Sequence, residues 1–245
     1  MKNRSQDIGG VHMTVMNQNT VVNERRMFTV KDPISALTHL IGAIGAILGM
    51  PALLLQGARM GNSMAALGSY AVFMLSMIIL YSASTTYHSF SINARVNKIL
   101  KKVDHCSIFL LIAGSYTPVA VTVLPGREGM ILLSIVWTIA VLGIIFKLCW
   151  VTCPKWVSSV IYTAMGWTAI FFMKDIVANL SAPAFFWLLA GGLFYTVGAV
   201  IYAMKPTMFE NRIPGFGNHE LFHCFVLAGS LCHYILVFQY LTMLG

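Results

Sequence analysis

The sequence predicts an all-α, polytopic membrane protein: a seven-transmembrane helix bundle with its amino terminus in the cytoplasm. Three observations carry that expectation. Of the 245 residues, 58% are hydrophobic and only 10% charged, whereas a soluble domain carries about 25% Asp, Glu, Lys and Arg. The apolar residues gather into seven runs, most of them near the ~20 residues that cross a bilayer as a helix. The basic residues fall almost entirely in alternate connections between those runs. Disorder is excluded by the same composition, because disorder needs low hydrophobicity and high charge. A membrane β-barrel is excluded because its strands alternate apolar and polar residues and these runs do not.

The elements follow in order. Residues 1–31 are polar, rich in Asn, Gln and Thr, and read as a flexible cytoplasmic tail without the apolar stretch of a cleavable signal peptide. Residues 32–245 form the membrane domain. The first span, 34–56, carries the Gly45-x3-Gly49 spacing that lets helices approach closely; packing within the monomer is the preferred use. The second, 66–89, ends on Ser84 and His88. The third, 104–124, opens on Asp104 and His105, contains Pro118 as an expected kink, and stops at Leu124-Pro125-Gly126. The fourth is 129–147. The fifth, 158–174, is short. The sixth, 184–204, holds Gly191, Gly192 and Gly198. The seventh, 219–243, follows the turn Pro214-Gly215-Phe216-Gly217.

The net charge of +8 reports orientation, not nucleic-acid binding. Lys2, Arg4, Arg25, Arg26 and Lys31 lie in the tail. Arg95, Lys98, Lys101 and Lys102 lie in the second loop, Lys147 and Lys155 in the fourth, and Lys205 and Arg212 in the sixth. Only Arg59, Arg127 and Lys174 fall on the other side. Basic loops stay in the cytoplasm, so the chain is expected in the inner or plasma membrane with its carboxyl terminus outside. The five cysteines suggest no disulfide framework. Cys149 and Cys153, four apart, can pair on a metal, but small apolar packing residues are the favoured reading.

Ionisable groups inside spans are costly and mark function by default. With this topology His39, His88, Asp104, His105, His219, Glu220 and His223 all fall at one depth, near the cytoplasmic interface. His219 and His223 stand one above the other on a helix face, a standard two-point ligand for zinc. His88 supplies a third imidazole. Three nitrogens and an open fourth position form the catalytic zinc pattern. Asp104 is placed to hold the metal-bound water and accept its proton, and Ser84 and Tyr81, on the His88 face, to stand beside the ligands. For His39 and His105, and for His233 deeper in span seven, a hydrogen bond between helices is the favoured reading over metal ligation.

Two other readings meet these residues. His219-Glu220-Leu221-Phe222-His223 matches H-E-x-x-H, the zinc-protease signature with Glu as base, but no acidic ligand follows it; Glu220 instead suits the first turn of a helix, opposing the macrodipole. His219 and His233 are spaced like stacked haem ligands, but no second helix carries a matching pair.

At these residues the sequence resembles the haemolysin III family, the bacterial branch of the superfamily of adiponectin and progestin membrane receptors. Four stretches carry the resemblance: Ser35-Ala36-Leu37-Thr38-His39; Ser84-Thr85-Thr86-Tyr87-His88; Asp104-His105 through Ala113-Gly114-Ser115-Tyr116-Thr117-Pro118; and His219-Glu220-Leu221-Phe222-His223. It implies one zinc site, with ligands His88, His219 and His223, a water held by Asp104, and Ser84 close by. It also implies seven spans with zinc on the cytoplasmic side. Eukaryotic relatives resemble zinc-dependent hydrolases of lipid amides. Three functions follow as expectations: a zinc-dependent hydrolase of a lipid amide or ester; a receptor-like or membrane-stress regulator with structural zinc; and, least favoured, a pore-forming cytolysin.

Overall fold

The computed structural model describes residues 30–124, 126–207 and 214–245. Among these, seven helical segments are long and apolar enough to cross a membrane. The tail expected over residues 1–31 lies outside the described residues except for Val30 and Lys31. The helices are α1 (Pro33–Arg59), α2 (Met64–Ser89), α3 (Ala94–Thr122), α4 (Gly126–Cys149), α5 (Lys155–Gly166), α6 (Met173–Asn179), α7 (Ala182–Met204) and α8 (Asn218–Gln239). Together α5 and α6 make the fifth span.

The helix starts follow local chemistry. Pro33 opens α1 at a position where its missing N–H costs nothing. Ser63 caps α2 by accepting from the Ala66 amide, and Asn93 caps α3 by accepting from the Val96 amide. That second cap lies well before the apolar run. Helix α3 therefore starts ten residues ahead of Asp104, and Arg95, Lys98, Lys101 and Lys102, expected in a loop, occupy its first turns. Hydropathy marks where a helix enters lipid, whereas the cap and good helix-forming residues decide where it begins.

The fifth span reads as short because it is broken. Helix α5 stops at Gly166, a 3-10 segment runs over Thr168–Phe172, and α6 resumes at Met173. The Tyr116 hydroxyl on α3 donates to the Gly166 carbonyl at 2.5 Å and accepts from the Ala169 amide at 3.0 Å. Irregular backbone at membrane depth persists where protein satisfies it or a cavity adjoins it; both hold here, since Gly166, Trp167 and Ile170 face a cavity inside the bundle.

Consecutive helices α1 to α4 pack side by side, α7 pairs with α8, α5 lies against α7, and α8 closes the bundle against α1. Burial is inverted relative to a water-soluble protein: Phe171 is 85% exposed and Leu48 70%, while Ser84, His88, Asp104 and His223 are buried. In lipid the apolar exterior costs nothing and polar groups are secured inside.

Candidate metal centre

One end of the bundle gathers the start of α1, the end of α2 and the start of α8. The Asp32 amide donates to the His88 carbonyl at 2.8 Å, which ties the entry of α1 to the last turn of α2. The Ser35 hydroxyl donates to Glu220 at 2.6 Å, which ties α1 to α8. Within this frame His88, His219 and His223 each offer a nitrogen, and the three nitrogens lie within 4.8 Å of one another. The i, i+4 spacing on α8 holds the His219 and His223 ring centroids 4.5 Å apart, and His88 comes in from α2 at 4.9 and 5.2 Å from them.

Hydrogen bonds assign the protons. Asp32 is the N-cap residue of α1 but makes no side-chain capping bond. Its carboxylate accepts instead from Nδ1 of His88 at 2.9 Å, so the His88 Nε2 lone pair is bare. Thr38 has one hydroxyl proton, given to the Ser35 carbonyl at 2.9 Å; its oxygen therefore accepts from Nδ1 of His223 at 3.3 Å, which leaves that imidazole's Nε2 bare as well. A ring N–H given to a carboxylate or hydroxyl is the usual way a metal-binding histidine is oriented. Burial pushes the Asp32 carboxyl up, but the His88 hydrogen bond and the Lys31 charge outweigh it and hold it below the usual carboxylate range.

The donor set fits zinc. The Nε2 atoms of His88 and His219 face each other at 3.1 Å. Two nitrogens on a tetrahedral zinc, each bonded at about 2.0–2.1 Å, lie roughly 3.3 Å apart. A cation facing both lone pairs satisfies the contact without a shared proton. Three imidazoles also suit iron, cobalt or nickel, so the cluster defines a metal site, not a metal.

The remaining expected residues separate into groups. Ser84, Asp104, His105, His219 and His223 line one end of a single cavity whose farther walls, from α3, α5–α6, α7 and α8, are mostly apolar. Asp104 is buried on α3, with its carboxylate 3.5 Å from Nδ1 of His105, and the His105 carbonyl accepts from Tyr162 at 3.0 Å. His39 makes no hydrogen bond between helices, contrary to expectation: both ring nitrogens are without a partner among the described residues, and the ring instead stacks flat on His223, with centroids 3.6 Å apart and planes 8° from parallel, outside the three-nitrogen group. Tyr81 packs its ring edge on His39 at 5.1 Å and gives its hydroxyl proton to Ser230 at 2.5 Å. It braces α8 at one remove from the histidines. Glu220 accepts from Ser35 and, at 2.9 Å, from the Gly217 amide, so one oxygen caps the start of α8 and the other ties it to α1. His233 sits on the far wall beside the Tyr195 ring at 5.4 Å.

A family model described as Haemolysin-III related matches residues 28–234. The chain belongs to the haemolysin III family. It is similar to the Hemolysin-3 homolog of Bacillus subtilis (strain 168), 37% identical over 215 residues that span 87% of this chain and 96% of that protein. Hemolysin-3 of Bacillus cereus is 37% identical over 213 residues, 87% of this chain and 93% of the relative. More distantly, the Adiponectin receptor protein of Drosophila melanogaster is 24% identical over 216 residues, 80% of this chain and 48% of that protein.

The haemolysin III match spans every residue of the histidine cluster and its supports. Two of those supports, Asp32 and Thr38, escaped the sequence reading as partners of the ligands, as did Ser35 as the partner of Glu220. A signal for the first exists, since an Asp directly before Pro33 reads as an N-cap. Its diversion to another helix has none.

Proposed function

We propose that this haemolysin III protein binds zinc through His88, His219 and His223 and hydrolyses an amide or ester bond of a membrane lipid. The observation that carries the reading is the convergence of three imidazoles, two buried and one half-buried, two with their lone pairs aimed by hydrogen bonds, beside an apolar cavity lined by His219, His223, Asp104 and Ser84. Zinc on three neutral imidazoles supplies a Lewis acid and brings a bound water to a pKa of about 7. Asp104 takes the proton from the attacking water and returns it to the leaving group. Ser84 stands beside it to orient the polar head. Asp32 and Thr38 keep the ligand rings turned inward. The apolar walls take the acyl chain and exclude bulk water.

The same reading places the site on the cytoplasmic side. Lys31, Arg95, Lys98, Lys101, Lys102, Lys155 and Lys205 lie near the end of the bundle that holds the histidines, and Arg59, Arg127 and Lys174 near the other. The positive-inside rule then puts the amino terminus in the cytoplasm of a cell membrane.

A second reading, a receptor-like regulator with structural zinc, is favoured by the ligands themselves, because they pin α2 to α8. Metal analysis of purified protein against His219→Ala tests the shared premise: near-stoichiometric zinc is expected in the wild type and its loss in the variant, and metal in neither removes both readings. Lipid analysis of cells with and without the protein separates them, since a hydrolase depletes a substrate lipid and a regulator with structural zinc turns none over.

A further inference from the structure

We propose that Lys147, Cys153 and Ser158 form a second reactive centre, at which a peroxide oxidises Cys153 and Lys147 captures the product in a covalent sulfur–nitrogen link. Lys147 was expected in a loop, but it belongs to the last turn of α4 and is 1% exposed, with its side chain turned inward. Its Nζ lies 3.1 Å from the Cys153 Sγ and 2.5 Å from the Ser158 Oγ, and those two atoms lie 3.2 Å apart. Cys153 and Ser158 are buried too. Among the described residues Lys147 makes no ion pair with a carboxylate. Burying a lysine away from an acidic partner is expensive, and the nearest reactive group it has been given is a thiol. Ser158 also lines the cavity, so one member of the cluster borders open space that a small uncharged oxidant can occupy.

The chemistry balances with hydrogen peroxide as co-reactant. The attacking species is the sulfur as its thiolate, and the Lys147 ammonium, donating to Sγ, holds that charge. Sγ bonds one peroxide oxygen, the O–O bond breaks, and the proton passes from Nζ to the departing hydroxide, which leaves as water. Sulfur is oxidised and peroxide reduced. A sulfenic acid condenses with a neighbouring nitrogen to a sulfenamide. Here the Lys147 amine attacks Sγ, the S–O bond breaks, and a second water leaves with a proton from the amine. The product joins the last turn of α4 to the connection before α5 and fixes the turn that presents Ser158 to the cavity.

Cys149 is exposed and four residues from Cys153, so a Cys149→Ser background removes a competing disulfide. The full-length protein in detergent is treated with hydrogen peroxide, its remaining thiols are blocked, and it is digested for mass spectrometry. The expected species is one peptide pair joined between residues 147 and 153, lighter by two hydrogens than its parts and separated by dithiothreitol. In Lys147→Arg, which keeps the charge but cannot condense, the link is absent and a dimedone adduct accumulates on Cys153. A wild type whose Cys153 is untouched while Cys224 oxidises overturns the proposal. So does a dimedone adduct that forms equally with and without Lys147. Should Lys147→Arg fail to fold, the wild-type link map decides alone.

Discussion

Asp32 stands where a helix cap belongs, yet its carboxylate reaches across to His88 of α2 at 2.9 Å and leaves the start of α1 without a side-chain cap. A good capping residue contributes about 1 kcal/mol. Diverting it shows that holding the His88 ring outranks securing the first turn of α1, where Pro33 already reduces the need.

That diversion predicts a metal phenotype for a residue that is not a ligand. Asp32→Ala should lower zinc affinity by about 10- to 100-fold, the usual cost of removing a carboxylate behind a ligating histidine. Asp32→Asn should fall between, because an amide oxygen still accepts from Nδ1. Competition against a chelator of known affinity measures both. Wild-type affinity in Asp32→Ala removes the orienting role.

Zinc held by α2 and α8 should stabilise the bundle. A ligand present at a hundred times its dissociation constant adds about 2.7 kcal/mol. Adding a chelator should therefore lower the Tm of the wild type in detergent and leave His219→Ala unmoved. Equal responses in the two proteins contradict a metal bound through His219.

Asp104 and Glu220 should separate cleanly. Asp104→Asn should retain zinc and lose about 100- to 10,000-fold in turnover of a lipid substrate, the usual range for removing a general base. Glu220→Gln should keep both metal and turnover and cost on the order of 1 kcal/mol of stability, because its oxygens hold Ser35 and the Gly217 amide. The reverse pattern assigns the base to Glu220.

Two glycines should respond oppositely to the same methyl group. A Cβ on Gly129 would meet the Ala120 carbonyl oxygen at 2.2 Å, and backbone cannot swing aside. Gly129→Ala should cost about 1–3 kcal/mol as overpacking. A Cβ on Gly45 meets nothing within 4 Å, so Gly45→Ala should stay within about 0.5 kcal/mol. Of the Gly45-x3-Gly49 pair only Gly49 is used internally: a Cβ there would meet Tyr234 at 3.1 Å. Thermal melts of the two variants compare them directly.

The number of spans was legible in the primary structure because lipid imposes a length and a composition on every crossing segment. The shared depth of the site histidines was legible for the same reason: once helices alternate in direction, position along a span becomes depth. His219 and His223 could be paired from spacing alone, since four residues place them on one helix face. Where α3 begins could not be read from hydropathy, because Asn93 and a basic first segment extend the helix beyond the apolar run. The pairing of Asp32 with His88, the stacking of His39 on His223, and the burial of Lys147 against Cys153 and Ser158 were decided by tertiary structure only. Each joins residues on different helices or turns a side chain inward from a helix end, and no local periodicity encodes which neighbour a side chain will meet. The chain's own order states what each helix carries and how deep; the packing of one helix against another states which of those groups act together.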